Sequence, residues 1–332
     1  MTNIKKVLLT FLASAFVALQ LVSMPVGAQQ GSGLQVSPPR AELTIERGQA
    51  SSFDVTLTNR ADQPVIAKYV INDFESDGVS GDPKIIVDDS VVSDNSIRDF
   101  LVDLEDVNLG PNEKKTFRIT AQIPEATTPG SYYGIVRYQA VPLDAEGEES
   151  DTTQFSLNAS LGVIVLIDVP GNVTQGAEVT AVEAQSQDLN EEGQPTGDVS
   201  GGSFFMSAPN QIAVSVRNTG GSFVKPFGKV IVKNMFGSTA AEYELNSPQE
   251  SDGPAVRGNI LPDSSRTFTD QIDIGGFGRY TIEANVSYIQ GGEVITSTVS
   301  FWVLPIWFII LLLVLLAGIV FGGVTAYRRF LG

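Results

Sequence analysis

Tyr280-Thr281-Ile282-Glu283-Ala284-Asn285-Val286-Ser287-Tyr288 alternates apolar and polar side chains without a break. Tyr280, Ile282, Ala284, Val286 and Tyr288 share one face, and Thr281, Glu283, Asn285 and Ser287 share the other. That is the pattern of a strand with one face in a core and one in water. Ser52–Thr58 and Gln211–Arg217 alternate in the same way, and helical spacing is scarce between residues 29 and 303. A weak exception is Ser96–Leu104, where Ile97, Phe100, Leu101 and Leu104 fit one or two helical turns across the end of a sandwich.

The same signals occur twice in the same order. Val55-Thr56-Leu57-Thr58-Asn59 corresponds to Val214-Ser215-Val216-Arg217-Asn218, each a strand stopped by an asparagine that tolerates left-handed backbone. Pro111-Asn112 followed by Thr116-Phe117 corresponds to Pro262-Asp263 followed by Thr267-Phe268. Proline and then Asn or Asp makes a turn, and Thr-Phe opens the next strand. Gly130-Ser131-Tyr132 corresponds to Gly278-Arg279-Tyr280, each placing a tyrosine where immunoglobulin-like sandwiches keep their tyrosine corner. The expected fold is therefore all-β: two immunoglobulin-like sandwiches in tandem, over residues 34–170 and 173–302, parted at Pro170-Gly171-Asn172. Two unrelated β domains with generic turn chemistry remain the alternative. The segment 187–203, rich in Gly, Asn, Glu and Asp, is either a long hairpin of the second domain or the linker between domains. Ala145–Asp151 reads as an acidic surface turn before a short strand at Gln154–Leu157.

Both ends point to export. Lys5 and Lys6 precede an apolar stretch, Val7–Val22, and the small residues Val26-Gly27-Ala28, so residues 1–28 read as a signal peptide cleaved after Ala28, with an uncleaved signal anchor as the alternative. Residues 304–324 carry no charge and, at roughly 1.5 Å each, span about 31 Å as a transmembrane helix. Trp302 and Trp307 suit the interface, and Arg328 and Arg329 put the tail, 325–332, in the cytoplasm. The expectation is a single-pass plasma membrane protein with most of its chain outside. Gly318 and Gly322 form a GxxxG pattern that lets two helices approach, a possible weak homodimer contact.

The 332 residues carry a net charge of −17, and the body between the basic ends is more negative still. Such a surface repels nucleic acid and anionic lipid. There is no cysteine and no histidine, which removes disulfides, Ser-His-Asp and Cys-His catalysis, and histidine-ligated metals. Paired-carboxylate glycoside chemistry needs a cleft that the loop acids do not suggest. Asp73-Phe74-Glu75-Ser76-Asp77-Gly78 opens like a calcium loop, but its twelfth position is Lys84; Asp188–Gly193 opens similarly and reaches Val199. No phosphate loop is present. Neither a catalytic residue nor a cofactor or metal site is assigned, and the enzyme expectation is negative. Phe204-Phe205-Met206, Phe223, Phe227 and Phe236 suit a sandwich core or a binding surface, with core favoured. Tyr133 is expected to face outward if Tyr132 faces inward.

Together these features distantly resemble the WxL-interacting cell-surface proteins of Gram-positive bacteria, over nearly the whole chain. The resemblance rests on Pro129-Gly130-Ser131-Tyr132-Tyr133-Gly134, Asn218-Thr219-Gly220, Lys229–Gly237, Phe277-Gly278-Arg279-Tyr280 and Phe301-Trp302-Val303-Leu304-Pro305. It implies a first β domain that binds peptidoglycan, a second that binds host matrix, and a C-terminal anchor. The expected function is a membrane-anchored surface protein that binds cell-wall polymer, another envelope protein or a host ligand. The alternative is a tethered assembly factor for exported proteins that acts by strand addition.

Overall fold

The computed structural model describes residues 33–88, 90–143, 161–190, 192–251 and 253–330. The expected signal peptide, the acidic turn at 145–151 and the strand at 154–157 lie outside the described residues. The chain is all-β, two immunoglobulin-like sandwiches followed by one apolar helix.

The first domain contains β1 (Leu34–Ser37), β2 (Arg40–Thr44), β3 (Ala50–Asn59), β4 (Val65–Asn72), β5 (Phe74–Ser76), β6 (Pro83–Ile85), β7 (Leu101–Val102), β8 (Val107–Leu109), β9 (Lys114–Gln122), β10 (Gly130–Pro142) and β11 (Leu161–Val169). The second contains β12 (Ala177–Leu189), β13 (Pro195–Gly201), β14 (Phe204–Phe205), β15 (Gln211–Asn218), β16 (Phe227–Lys233), β17 (Thr239–Leu245), β18 (Gln249–Ser251), β19 (Gly253–Val256), β20 (Ser265–Gln271), β21 (Gly278–Ser287) and β22 (Ile295–Val303). Helix α1 (Ile306–Phe330) closes the described chain. The first sandwich packs sheet β1-β3-β9-β7 on sheet β2-β11-β10-β4-β8; the second packs β13-β12-β15-β20 on β14-β22-β21-β16-β17. Alternation sends Val55, Leu57, Ile119 and Val165 into one core and Val214, Val230, Ile282 and Phe301 into the other. Segment 187–203 forms the end of β12 and its return as β13. The helical spacing at 96–104 becomes a single turn that buries Ile97, Phe100 and Leu101.

The repeat holds in atomic detail, with a different part for its asparagines. Asn59 and Asn218 are fully buried, and neither adopts positive φ. Asn59 donates from Nδ2 to the carbonyls of Gln63 (2.8 Å) and Gly110 (2.9 Å) and accepts from the Ala61 amide (3.0 Å). Asn218 donates to Ser222 (2.8 Å) and Ile260 (3.0 Å) and accepts from Gly220 (2.9 Å). Each asparagine thus clamps the loop after its own strand to the loop before the Thr-Phe strand. The left-handed positions are Asn112 and Asp263, at φ 55° each, in the Pro-Asn and Pro-Asp turns. Both tyrosine corners form: Tyr132 donates to the Thr128 carbonyl at 2.8 Å, and Tyr280 donates to the Gly275 carbonyl.

Tyr138 is also fully buried, edge-on to Phe117 at 5.7 Å, but its hydroxyl has no partner among the described residues. Burial pushes that hydroxyl far above the usual phenol range. A buried hydroxyl with nothing to bond opposes folding. Tyr138→Phe is expected to raise stability by about 1 kcal/mol in denaturant unfolding; a loss would mean that the hydroxyl is engaged.

A fixed junction joins the sandwiches. The Ser131 amide donates to the Gly221 carbonyl (3.3 Å), and the Phe223 amide donates to Ser131 Oγ (2.8 Å). Ser222 Oγ donates to Asp168 (3.1 Å), and Lys225 pairs with Glu42. Phe74, Tyr133, Ile135 and Leu166 of the first domain bury against Leu261, with Phe223 packed beside them. Tyr133 does point away from the first core, as alternation requires. It is only 9% exposed, however, because the second domain covers it and Phe74 packs on its ring at 5.2 Å. The β5–β6 hairpin reaches across as well: the Thr267 amide, on the outer edge of β20, donates to the Val79 carbonyl at 2.7 Å. Asp77 holds that hairpin tip by accepting from the amides of Val79, Ser80 and Gly81.

Candidate functional site

A sandwich must deal with the unpaired backbone groups on its outermost strands. Here nearly every edge is blunted. β2 carries Arg40 and Glu42, and β17 carries Glu242 and Glu244. β13 contains a proline, two glycines and Asp198. β1, β7 and β8 have 4, 2 and 3 residues. The edge of β20 is met by the Val79 carbonyl of the first domain.

Where an outer strand covers only part of its neighbour, charge stands in the open part: Asp54 on β3, Lys68 on β4, Lys114 and Arg118 on β9, Glu178 and Glu183 on β12. Among the described residues the open stretch of β22 differs in carrying no charge. One side pairs with β21 along its whole length, from Gly278↔Val303 to Val286↔Ile295. On the other side β14 reaches only Trp302 and Val303. The Trp302 amide donates to the Ser203 carbonyl and the Leu304 amide to Phe205, both at 2.8 Å. Hydrogen bonding alternates along a strand, so the outward amides and carbonyls before Trp302 belong to Thr296, Thr298 and Ser300. Among the described residues no strand pairs with them; β12 of the opposing sheet passes beside β22 without joining it. The stretch Ile295-Thr296-Ser297-Thr298-Val299-Ser300-Phe301 has no charge. Val299, on the same face as buried Phe301 and Val303, is still 36% exposed. The site therefore offers a row of free backbone groups beside an incompletely covered apolar face. This is the chemistry of strand addition. The strand itself is plain in the sequence, and so is its lack of charge. That it lies at an edge follows only from pairing across the fold.

The segments singled out by sequence lie elsewhere. Asp73 is fully buried and accepts the Ser93 amide (3.1 Å) beside Arg98 (3.4 Å), while the Asp77 carboxylate is taken by its own turn, whose amides and the Ser80 hydroxyl hold it well below the usual carboxylate range. The calcium-like opening thus builds a hairpin. Asn190 similarly accepts from the amides of Glu192 and Gln194 in the β12–β13 turn. Gly318 and Gly322 lie one helical turn apart on α1, and a Cβ added at either would meet nothing within 4 Å beyond the helix's own backbone. Of the aromatic group favoured for the core, Phe205, Phe223 and Phe227 are partly buried. Phe204, Met206 and Phe236 are 71%, 69% and 82% exposed, which corrects that reading for these three. At the junction Arg40, Glu42, Lys225 and Arg266 gather. Glu42 takes both Arg40 and Lys225, and Arg266 lies over the Phe268 ring at 5.4 Å. Burial, then the charge of Arg40, lowers the Arg266 guanidinium's pKa.

α1 is long and apolar enough to cross a membrane, a candidate span. It begins at Ile306 and not at 304, because Leu304 is still tied to β14, and it runs on through Tyr327, Arg328 and Arg329.

No protein-family model and no curated protein matches the chain. Among solved structures it is similar to the class 5 fimbriae chaperone CfaA, at 13% identity and TM-score 0.36, over 82% of this chain and 100% of that one. It is similar to the Pseudomonas aeruginosa CupB2 chaperone at 12% identity and TM-score 0.30, over 80% and 99%. It is also similar to a PapD-like domain of human CEP192, at 14% identity and TM-score 0.28, over 44% and 92%.

Proposed function

We propose that the chain is a non-enzymatic assembly factor, tethered to the outer face of a plasma membrane, that holds an exported polypeptide as an added strand on β22. The observation that carries this reading is the unblunted edge at Ile295–Phe301. A guest strand would satisfy the outward groups of Thr296, Thr298 and Ser300, and its alternate side chains would cover Val299. Main-chain bonding tolerates many guest sequences, which suits a factor that handles exported chains. α1 would cross the membrane with Arg328 and Arg329 inside. The tether raises the effective concentration of guest and edge, so that a weak contact suffices. The chain has no histidine or cysteine to offer a nucleophilic enzyme, which supports the non-enzymatic part. Kinship with the WxL-interacting proteins would make the guest another envelope protein.

The test uses the full chain in membranes, with a photo-crosslinker at Thr298 and a control at Asp62. Polypeptide adducts at Thr298 are expected to exceed those at Asp62 by tenfold or more. With the label moved to Thr296, Thr298→Lys should reduce the adducts formed there by a similar factor, because a charge blunts an edge. Thr298→Pro should do the same, since it removes an outward amide that β21 does not use. Equal adducts at Thr298 and Asp62 would overturn the reading.

A further inference from the structure

The base of the second domain carries an apolar collar that neither the core nor the β22 edge explains. Phe204, Met206, Met235, Phe236, Phe277 and Trp302 are all exposed by more than a third. They come from four separate segments brought to one end of the sandwich. Phe204 pairs with Trp302 across β14 and β22. Gly278 opens β21 opposite Val303, and Met235 packs on it. Phe236 tips the β16–β17 turn, which is held by Asn234 Oδ1 accepting the Phe236 and Ser238 amides.

α1 leaves from the middle of this collar. Only Leu304 and Pro305 separate β22 from the helix, and the Leu304 amide is bonded to Phe205. Phe277 stacks on Phe308 of the helix at 4.4 Å and meets Trp307 edge-on at 5.6 Å. The domain therefore has no free stalk. Two residues reach at most about 7 Å, so any membrane that α1 enters begins at the collar. Charge agrees. The segments 202–210, 233–239, 272–279 and 302–309 contain one acid, Asp273, against Lys233 and Arg279, in a chain whose net charge is −17. The strongly acidic character of the body is absent from the collar segments themselves; the acids at this end lie in the β12–β13 hairpin beside them. Exposed Phe, Met and Trp beside Lys and Arg are what the headgroup region accepts.

We propose that the collar docks the second domain directly on the bilayer surface, with Phe204, Met206 and Phe236 at headgroup depth, and so fixes the tilt of the open β22 edge relative to the membrane. This rests on the reading of α1 as a membrane span. The occupant is lipid and not a second protein, because the helix that enters the bilayer emerges from within the patch. The acids of the β12–β13 hairpin at the same end, Asp188, Glu192 and Asp198, keep the docking shallow.

The absence of cysteine lets single labels be placed at will. The full chain, reconstituted in phosphatidylcholine–phosphatidylglycerol vesicles, would carry a nitroxide at Leu315→Cys, Ser238→Cys, Ser207→Cys or Asp62→Cys. The readout is collision with oxygen against collision with a water-soluble nickel chelate. Leu315 should favour oxygen strongly, Asp62 nickel strongly, and Ser238 and Ser207 should lie between, with nickel collision at least threefold below Asp62. Combining Phe204→Ser, Met206→Ser and Phe236→Ser should return Ser238 to the Asp62 level while leaving Leu315 unchanged. If Ser238 and Ser207 match Asp62 while Leu315 is buried in lipid, docking is overturned and the span stands. If Leu315 is itself open to nickel, the span fails and docking fails with it.

Discussion

Asn218→Ala is expected to destabilise the second domain by about 2–4 kcal/mol, and Asn59→Ala the first by less, about 1–3 kcal/mol. Each substitution strands two carbonyls and one amide that the asparagine now satisfies, in buried bonds at Asn218 and part-buried ones at Asn59. Both asparagines are 0% exposed, and a buried unsatisfied group costs about 1–3 kcal/mol. The two variants can be told apart in one denaturant titration. Both tryptophans, Trp302 and Trp307, belong to the second domain and its helix. Asn218→Ala should move the fluorescence midpoint. Asn59→Ala should move only the part of the circular dichroism transition that fluorescence does not follow. A shift under about 0.5 kcal/mol in either would place the hold on these loops in the backbone bonds from Asn59 to Glu113 and from Asn218 to Ser264.

These asparagines also mark how far the sequence could be read. Their recurrence ahead of a Pro-Asn or Pro-Asp turn is visible in the letters, and so is the alternation that buries Val55, Val214 and Ile282. Local patterns of period two need only neighbours along the chain. The clamp needs Gly110 beside Asn59 and Ile260 beside Asn218, 51 and 42 residues apart, and no local rule carries that. Tyr133 fails for a similar reason. Alternation gives its side of the sheet correctly, but the neighbour that buries it is another domain.

The candidate site lies at the same limit. Uncharged alternation at Ile295–Val303 says strand; only the sheet order makes it an edge with one free side. The aromatic group shows the reverse error. Phe204, Met206 and Phe236 look like core residues by composition, yet Phe204 sits in a two-residue strand, Met206 just past it and Phe236 in a turn, and all three are exposed. Phe277, at the same end of the domain, stacks on Phe308 at the start of α1, so the same helix that ends the fold gives these exposed residues a place. The rigid junction then matters. With Thr267 bound to Val79 and Ser131 bound to Gly221, a guest on β22 meets one body, so whatever holds the second domain to the membrane also orients the first.

Gly228→Ala is expected to cost about 2–5 kcal/mol, its new Cβ making the closest overlap of any among the described glycines. Gly228 lies in β16 at φ +153°, paired with Val286 on one side and Leu245 on the other. A Cβ there would overlap the Asn285 carbonyl oxygen and lie 3.0 Å from its carbon. Relief by movement is blocked. Asn285 belongs to β21, the central strand of its sheet, held by β22 opposite, and Val286 beside it is fully buried. Overpacking against immovable backbone costs about 1–3 kcal/mol, and forcing alanine into positive φ adds about 1–2 more. Gly291→Ala separates the two terms. It has φ +73° in the turn between β21 and β22, with nothing within 4 Å of its added Cβ, so it should lose only the conformational part, about 1–2 kcal/mol. Thermal unfolding followed by tryptophan fluorescence reads both variants. Near-equal losses would mean that β16 can swing clear of β21, and that the sheet presenting the open edge is looser than its register implies.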